Sequence, residues 1–245
     1  HDGTMYITQG FIANSVSPKT TTTLGREGSD FSAAIFANCL DAEELTIWKD
    51  VDGLRNADPK RFTVTEKIEH LSYFEAIELA FYGASIIHPK TLKPLQNKNI
   101  PLKVRSFLDT SLEPSVIDGT KDYIKYVPSY IVKERQTLMS ITPKDYSFMN
   151  EHNRALIFNI MDELNIHANM TQISALVLSI CFDENEKKRI MLTDALSQAF
   201  KVKYNDGLKL FTIRHYQEGL EKDFIEDKKI YVEQRSRSTY QIVLE

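Results

Sequence analysis

Thr20-Thr21-Thr22-Thr23-Leu24-Gly25-Arg26-Glu27-Gly28-Ser29-Asp30 runs without a break into the Ala/Ile/Phe-rich residues 31–40. Gly25 and Gly28 let the backbone bend and approach a ligand closely. Residues 29–40 behind them read as a helix headed by Ser29. The start of such a helix offers unpaired N–H groups and the positive end of its dipole, which favour an anion. Arg26 adds a guanidinium able to grip a carboxylate or a phosphate through a bidentate fork. From physics alone this is an anion-binding turn; the plain alternative is a helix start capped by Ser29 or Asp30.

Around this turn the first half of the chain alternates. Residues 45–48 form a short apolar strand. Ser72-x-x-Glu75 is a capping box opening a helix that Gly83 closes. His88-Pro89 starts another helix, with Pro at its tolerated first position, and 102–107 alternates as a strand. Helix and strand taking turns is the α/β signature. Residues 109–136 then turn polar, with Pro114, Gly119 and Pro128, and read as the boundary, the linker proper falling at 121–136. Beyond it come a strand at 138–142, a helix at 154–164 and strands at 167–173 and 175–182. The helix carries an apolar stripe of Leu156, Ile157, Ile160, Met161 and Leu164. A second helix at 186–200 and a strand at 208–214 complete βαββαβ, the ferredoxin-like unit. Two further strands, 229–234 and 239–244, follow a polar stretch. The predicted domains are 1–120 and 137–245, the latter a module over about 137–215 and an abbreviated second over about 208–245.

Composition narrows the function classes. The 245 residues are 42% hydrophobic and 26% charged, enough for real cores without staples. Net charge is −4, with 30 basic residues spread among 34 acidic ones, which argues against a nucleic-acid partner. The longest apolar runs, 155–161 and 174–182, are far below a membrane span. Cys39 and Cys181 have no metal-ligand spacing and read as buried core thiols in a reducing cytoplasm, so no metal site is expected in the chain itself. His1 replaces an initiator and no signal pattern follows, so a preceding segment is expected.

Several blocks now add up. Gly10-Phe11-Ile12, residues 21–30, Ile47-Trp48-x-Asp50-Val51-x-Gly53, Ala57-Asp58-Pro59 and Gly83-Ala84-x-x-x-His88-Pro89 stand in the order and spacing of aspartate kinases. Together they cover most of residues 9–107, and the chain resembles the C-terminal part of that family: the rear of an amino-acid-kinase domain, then ACT-type modules. The resemblance implies transfer of the ATP γ-phosphoryl group, with Mg2+, to the side-chain carboxylate of L-aspartate, as the first step toward lysine, threonine and methionine. It places Arg26 on a substrate carboxylate, Asp30 as the orienting catalytic carboxylate and Ser29 in the aspartate pocket. Nucleotide contacts fall on Lys49, Asp50, Arg55, Lys60, Ser85 and Ile86. Trp48 reads as core and His88 as a helix-start residue. Glu27 stands where many relatives carry Gly, Lys49 where Thr is common, Arg55 where some have Tyr, and Ser85 where Lys is frequent. The family's Lys-Phe-Gly-Gly-Thr-Ser segment does not occur in the sequence, so these residues alone are expected to be inactive.

The regulatory half resembles ACT modules through its element order and the Asn165-Ile166-His167 turn. That implies a homodimer through this region and an amino-acid effector bound by 147–154 and 168–175, with Asn153, Asn169 and Ser174 as contacts. Two other readings share these features: a non-catalytic amino-acid-sensing subunit, and a pseudokinase that binds ATP without turnover. If Glu245 is the true end, the enzyme is monofunctional.

Lysine-inhibited relatives place Asp and Glu where this chain has Asn169 and Ala175. A lysine ammonium loses its charge-assisted partner there, at a cost of about 1.5–3 kcal/mol, or roughly one to two decades of affinity. Lysine is expected to bind weakly or not at all, while a smaller amino acid such as threonine still fits. Calorimetric titration of both into the chain checks this, and micromolar lysine binding would refute it.

Overall fold

In the computed structural model, residues 3–25, 27–84, 87–120 and 126–245 are described. They divide into two units, His1–Ser129 and Tyr130–Glu245.

In the first unit a hairpin of β1 (Ile12–Asn14) and β2 (Thr21–Thr23) leads into α1 (Gly28–Cys39) and β3 (Leu45–Lys49). A small antiparallel ladder of β4 (Leu54–Arg55) and β5 (Lys67–Ile68) follows, then β6 (His70–Ser72). The sequence sets the helices through their ends. The Ser72 hydroxyl accepts the Glu75 N–H at 3.2 Å to open α2 (Tyr73–Tyr82), and Gly83, at φ 108°, closes it. His88 Nδ1 accepts the Lys90 N–H at 3.2 Å to open α3 (Pro89–Lys98), with Pro89 first in the helix. β7 (Leu102–Ser106) then lies parallel to β3, as a crossover through helices requires.

The polar boundary stretch 109–136, read without a strand, holds β8 (Ser115–Asp118) ahead of the predicted linker, antiparallel to β7 and parallel to β6, in the sheet order β3-β7-β8-β6. The stretch lacks an apolar alternation because one inward position is Ser115. Its buried hydroxyl accepts the Leu54 N–H at 2.9 Å and donates to the Ile68 carbonyl at 2.6 Å, tying β8 to the β4–β5 ladder. Ile47, Leu79, Leu92, Leu95, Leu102 and Ile117 are buried in this unit.

The second unit runs β9 (Ser129–Pro143), α4 (Glu151–Glu163), β10 (Ala168–Ile173), β11 (Leu178–Asp183), α5 (Glu186–Leu196) and β12 (Phe200–Arg214). Their order in the sheet, β10-β11-β9-β12, is that of a ferredoxin-like βαββαβ unit. The short α6 (Lys222–Ile225), β13 (Ile230–Arg235) and β14 (Thr239–Leu244) extend the sheet past β12. Both long strands have a left-handed residue inside them, Arg135 at φ 54° and Gly207 at φ 72°. After these breaks Gln136–Ile141 pairs with β11, and Lys209–Arg214 pairs with β14. Each long strand therefore serves two neighbourhoods.

One face is covered by α4 and α5, whose Ile157, Met161, Leu192 and Leu196 pack on Met139, Ile141, Leu178 and Ile180. Ile160 and Leu164 flank that core, but Leu156, assigned to the same stripe in the sequence, is 41% exposed. A second cluster joins Leu138, Met170 and Cys181 to Leu208, Leu210, Val232 and Val243.

Gly53 gives the fold a direct test. It has φ 132°, and a Cβ there would lie 2.5 Å from Ser115 Oγ and 2.9 Å from Lys67 Cε. Gly53→Ala should destabilise the chain by about 1–3 kcal/mol through backbone strain and displacement of the Ser115 hydroxyl. Urea denaturation would measure it.

Candidate functional site

The glycine-rich turn is clasped by Phe11. The Phe11 carbonyl accepts the Leu24 N–H at 2.8 Å, and its own N–H donates to Ser32 Oγ at 2.9 Å. Ser32 in turn donates to the Gly28 carbonyl at 2.9 Å. A Cβ at residue 28 would fall 2.5 Å from Phe11 Cδ2, so any side chain there would have to displace the Phe11 ring, and glycine avoids this. Glu27 occupies the N-cap of α1 in a left-handed conformation, φ 54°, and makes no side-chain cap. Ser29 and Asp30 lie inside the helix and do not cap it, which removes the plain capped-helix alternative for this turn. Arg26 lies outside the described residues.

The first charged contact is made here. Lys49 Nζ, at the end of β3, reaches Asp30 Oδ2 at 3.2 Å, joining two residues that the sequence assigned to different substrates. Both side chains keep partial exposure, so the pair contributes no more than about 1 kcal/mol. Asp50 follows β3 and is exposed, at the carboxyl end of a strand where open α/β sheets hold ligands. Ser29 is exposed beside them.

The remaining nucleotide assignments diverge. Arg55 grips Asp52 through Nε at 3.0 Å and Nη2 at 2.7 Å, while Nη1 donates to the Thr65 hydroxyl and carbonyl at 2.8 and 3.0 Å. That fork holds Asp52 below the usual carboxylate range, its hydrogen bond to Arg55 outweighing the opposing effect of burial. Lys60 is exposed after Asp58-Pro59, its backbone N–H turned onto Asp58 Oδ1 at 2.9 Å. Ser85 and Ile86 lie outside the described residues. Trp48, read as core, is 49% exposed, with the Arg105 guanidinium 5.8 Å from its ring centroid. Cys39, also read as core, is exposed on α1 while Cys181 is buried, its thiol pushed up to about 12 mainly by burial.

One contact had no signal in the sequence. Glu27 Oε2 accepts the His88 N–H at 2.8 Å across 61 positions. It joins the glycine-rich turn to the start of α3. At their other ends α1 and α3 are joined again, Asn38 Nδ2 donating to the Pro94 carbonyl at 2.7 Å and Lys98 Nζ to the Asn38 carbonyl at 2.6 Å. The two helices therefore run side by side in the same direction, their positive ends together.

In the second unit the predicted effector stretches do meet. The Met149 N–H donates to the Ala175 carbonyl at 2.8 Å. Asn153 Nδ2 donates to the Phe148 carbonyl at 3.0 Å, and Ser174 Oγ accepts the Val177 N–H at 3.1 Å in the hairpin turn. Asn169 is elsewhere, near the opposite end of β10, about 15 Å along the strand from Ser174. There it accepts from Lys133 Nζ at 2.7 Å and donates to Gln136 Oε1 and Asp183 Oδ1, both at 2.8 Å. Burial raises the Asp183 carboxyl, but Gln136, Asn169 and the Lys133 charge together hold it below the usual carboxylate range. Burial pushes the Lys133 ammonium down, opposed by the Asp183 charge.

Residues 1–106 match the model of the Amino acid kinase family. The chain is 30% identical to "Aspartokinase 1, chloroplastic" of Arabidopsis thaliana over 186 residues, covering 76% of this chain and 33% of that protein. It is also 30% identical to "Lysine-sensitive aspartokinase 3" of Escherichia coli (strain K12), over 85% of this chain and 48% of that one. A crystal structure of E. coli aspartokinase III in complex with aspartate and ADP (R-state) superposes with a TM-score of 0.78 at 25% identity, covering 96% of this chain and 56% of that chain. The chain is thus aspartokinase-like and spans about a third to a half of the length of these curated relatives.

The Asn169 network tests which role dominates at that residue. Asn169→Ala withdraws an acceptor from Lys133 and a donor from both Gln136 and Asp183. It should lower the unfolding free energy by about 1–3 kcal/mol, measured by urea denaturation without added amino acid. A change below about 0.5 kcal/mol would leave a ligand role as the better account.

Proposed function

We propose that this chain is the C-terminal portion of an aspartate kinase, with residues 1–120 the rear of its amino-acid-kinase domain and 137–245 an ACT-type regulatory region. In that reaction an oxygen of the L-aspartate side-chain carboxylate attacks the γ-phosphorus of ATP. The bond from that phosphorus to the bridging oxygen breaks, ADP leaves with the electron pair, and 4-phospho-L-aspartate forms. The protein's work is positioning and charge stabilisation. The observation that carries the reading is the uncapped, glycine-bent start of α1 with Lys49 on Asp30 beside it, inside the stretch matching the amino acid kinase family.

In this reading Arg26 forks onto a substrate carboxylate, Ser29 and the adjoining amides line the aspartate pocket, and Asp30 holds Lys49 until the nucleotide arrives. Because that pair is weak, Lys49 can turn to a phosphate at little cost. Asp50 and the exposed Lys60 face the nucleotide. The resemblance assigns Ser85 and Ile86 to the nucleotide as well. Arg55 contributes indirectly, by fixing the 52–67 turn through Asp52 and Thr65. No group of three His, Cys, Asp or Glu side chains gathers as a metal cage among the described residues, and Mg2+ would enter with the ATP phosphates.

The regulatory reading is supported by the ferredoxin-like strand order and by the Met149–Ala175 bond joining two effector stretches. Such modules would pair into a homodimer. An amino-acid-sensing subunit without kinase activity would share these features and differ only in turnover.

Aspartate-dependent ADP release separates the readings. The full-length gene product should show it, and Arg26→Ala there should lose about 10- to 100-fold in kcat/KM through the substrate carboxylate. The 245-residue chain should show none. Failure of the full-length protein to turn over aspartate would overturn the kinase reading; robust turnover by the 245-residue chain would overturn its division of the active site.

A further inference from the structure

Glu27 does something its position does not predict. It sits at φ 54°, a conformation free to glycine and costly to a residue with a side chain, at the very turn where charge decides what binds. Its carboxylate does not cap its own helix. It crosses instead to the His88 N–H at 2.8 Å. That N–H belongs to the N-cap of α3, one of the donors a helix start leaves unpaired, and the carboxylate there faces the positive end of the α3 dipole.

The connection from α2 to α3 therefore has both ends fixed. Gly83, at φ 108°, donates to the Ala80 carbonyl at 3.1 Å at one end. Glu27 holds His88 at the other. In sequence, Ser85 and Ile86 lie between these two anchors, and Ser29 and Asp30 follow directly on Glu27. At the far ends of α1 and α3, Asn38 and Lys98 supply separate bonds, and Lys98 also meets Asp41. Register between the helices is thus secured without Glu27; what Glu27 adds is the join at the end where the site lies.

We propose that Glu27 is a positioning residue that straps the substrate-side turn to the nucleotide-side connection and thereby sets nucleotide affinity. The proposal rests on the nucleotide assignment given above. It also accounts for how an acidic residue sits beside an anion-binding turn: its carboxylate is committed to a backbone N–H and a helix end.

Two substitutions separate strap from scaffold. Glu27→Gly relieves the left-handed backbone, so the melting temperature should hold or rise, yet the strap is gone. Glu27→Gln keeps an acceptor oxygen in place. Calorimetric titration of ADP into the full-length gene product should show Glu27→Gly binding about tenfold more weakly, with Glu27→Gln within about threefold of wild type. Amide exchange at His88, followed in the same proteins, should quicken about tenfold in Glu27→Gly only. Unchanged ADP affinity in Glu27→Gly, unchanged His88 exchange, or a Gln variant as weak as the Gly one would each overturn the strap. Wild-type protein that binds ADP but never turns over aspartate would overturn the kinase reading and leave the strap standing. Wild-type protein that binds no ADP would overturn both.

Discussion

The ring of Phe11 lies against Gly28, where a Cβ would fall 2.5 Å from Phe11 Cδ2 and force the ring to shift, and α1 starts at that contact. Because Phe11 is bonded to Leu24 on one side of the turn and to Ser32 on the other, the turn cannot open without breaking both. Once α1 begins at Gly28, Asp30 comes to face Lys49 at the end of β3, and Glu27 comes to face His88. The N–H groups of the first turn are left without a side-chain cap, which is the state an anion-binding helix end needs.

A comparable constraint governs the second unit, where β9 and β12 must each serve two sets of neighbours. The backbone resolves this with the left-handed residues Arg135 and Gly207, and Glu184 fastens the two breaks together. Its N–H donates to the Arg135 carbonyl at 2.8 Å, and its carboxylate accepts the Gly207 N–H at 3.0 Å. Nearby Asp206 takes the Thr137 hydroxyl at 2.6 Å and the Arg189 guanidinium at 3.0 Å. The same end of the sheet carries the Lys133, Gln136, Asn169 and Asp183 network. Polar side chains and backbone groups there bond across the two breaks. This also explains why Asn169 is occupied by its own chain, while Asn153 and Ser174 stand near a junction of loops.

Where a local rule governs, the sequence and the structure agree. Ser72, Gly83, Pro89 and the βαββαβ order are set by capping chemistry, by backbone freedom or by hydrophobic period, and all lie within a few residues of the elements they control. Where a distant partner governs, the residues mislead. β8 escaped notice in the polar boundary stretch because its inward Ser115 is satisfied by Leu54 and Ile68, about 50 to 60 positions away. Trp48, Cys39 and Leu156 belong to apolar runs yet point outward, because a run's hydrophobicity does not say which of its faces the next element will cover.

The same division holds for the candidate site. Glycine spacing and the order of short blocks were enough to locate a glycine-bent turn ahead of an uncapped helix and a kinase-like framework, since a bent backbone and an open helix end are properties of contiguous residues. Only the tertiary structure decided which charges meet: Lys49 with Asp30, Arg55 with Asp52 and Thr65, Glu27 with the N–H of His88. A side chain's partner depends on how helices and strands stack, and stacking is settled by burial of the whole core rather than by any stretch of the chain.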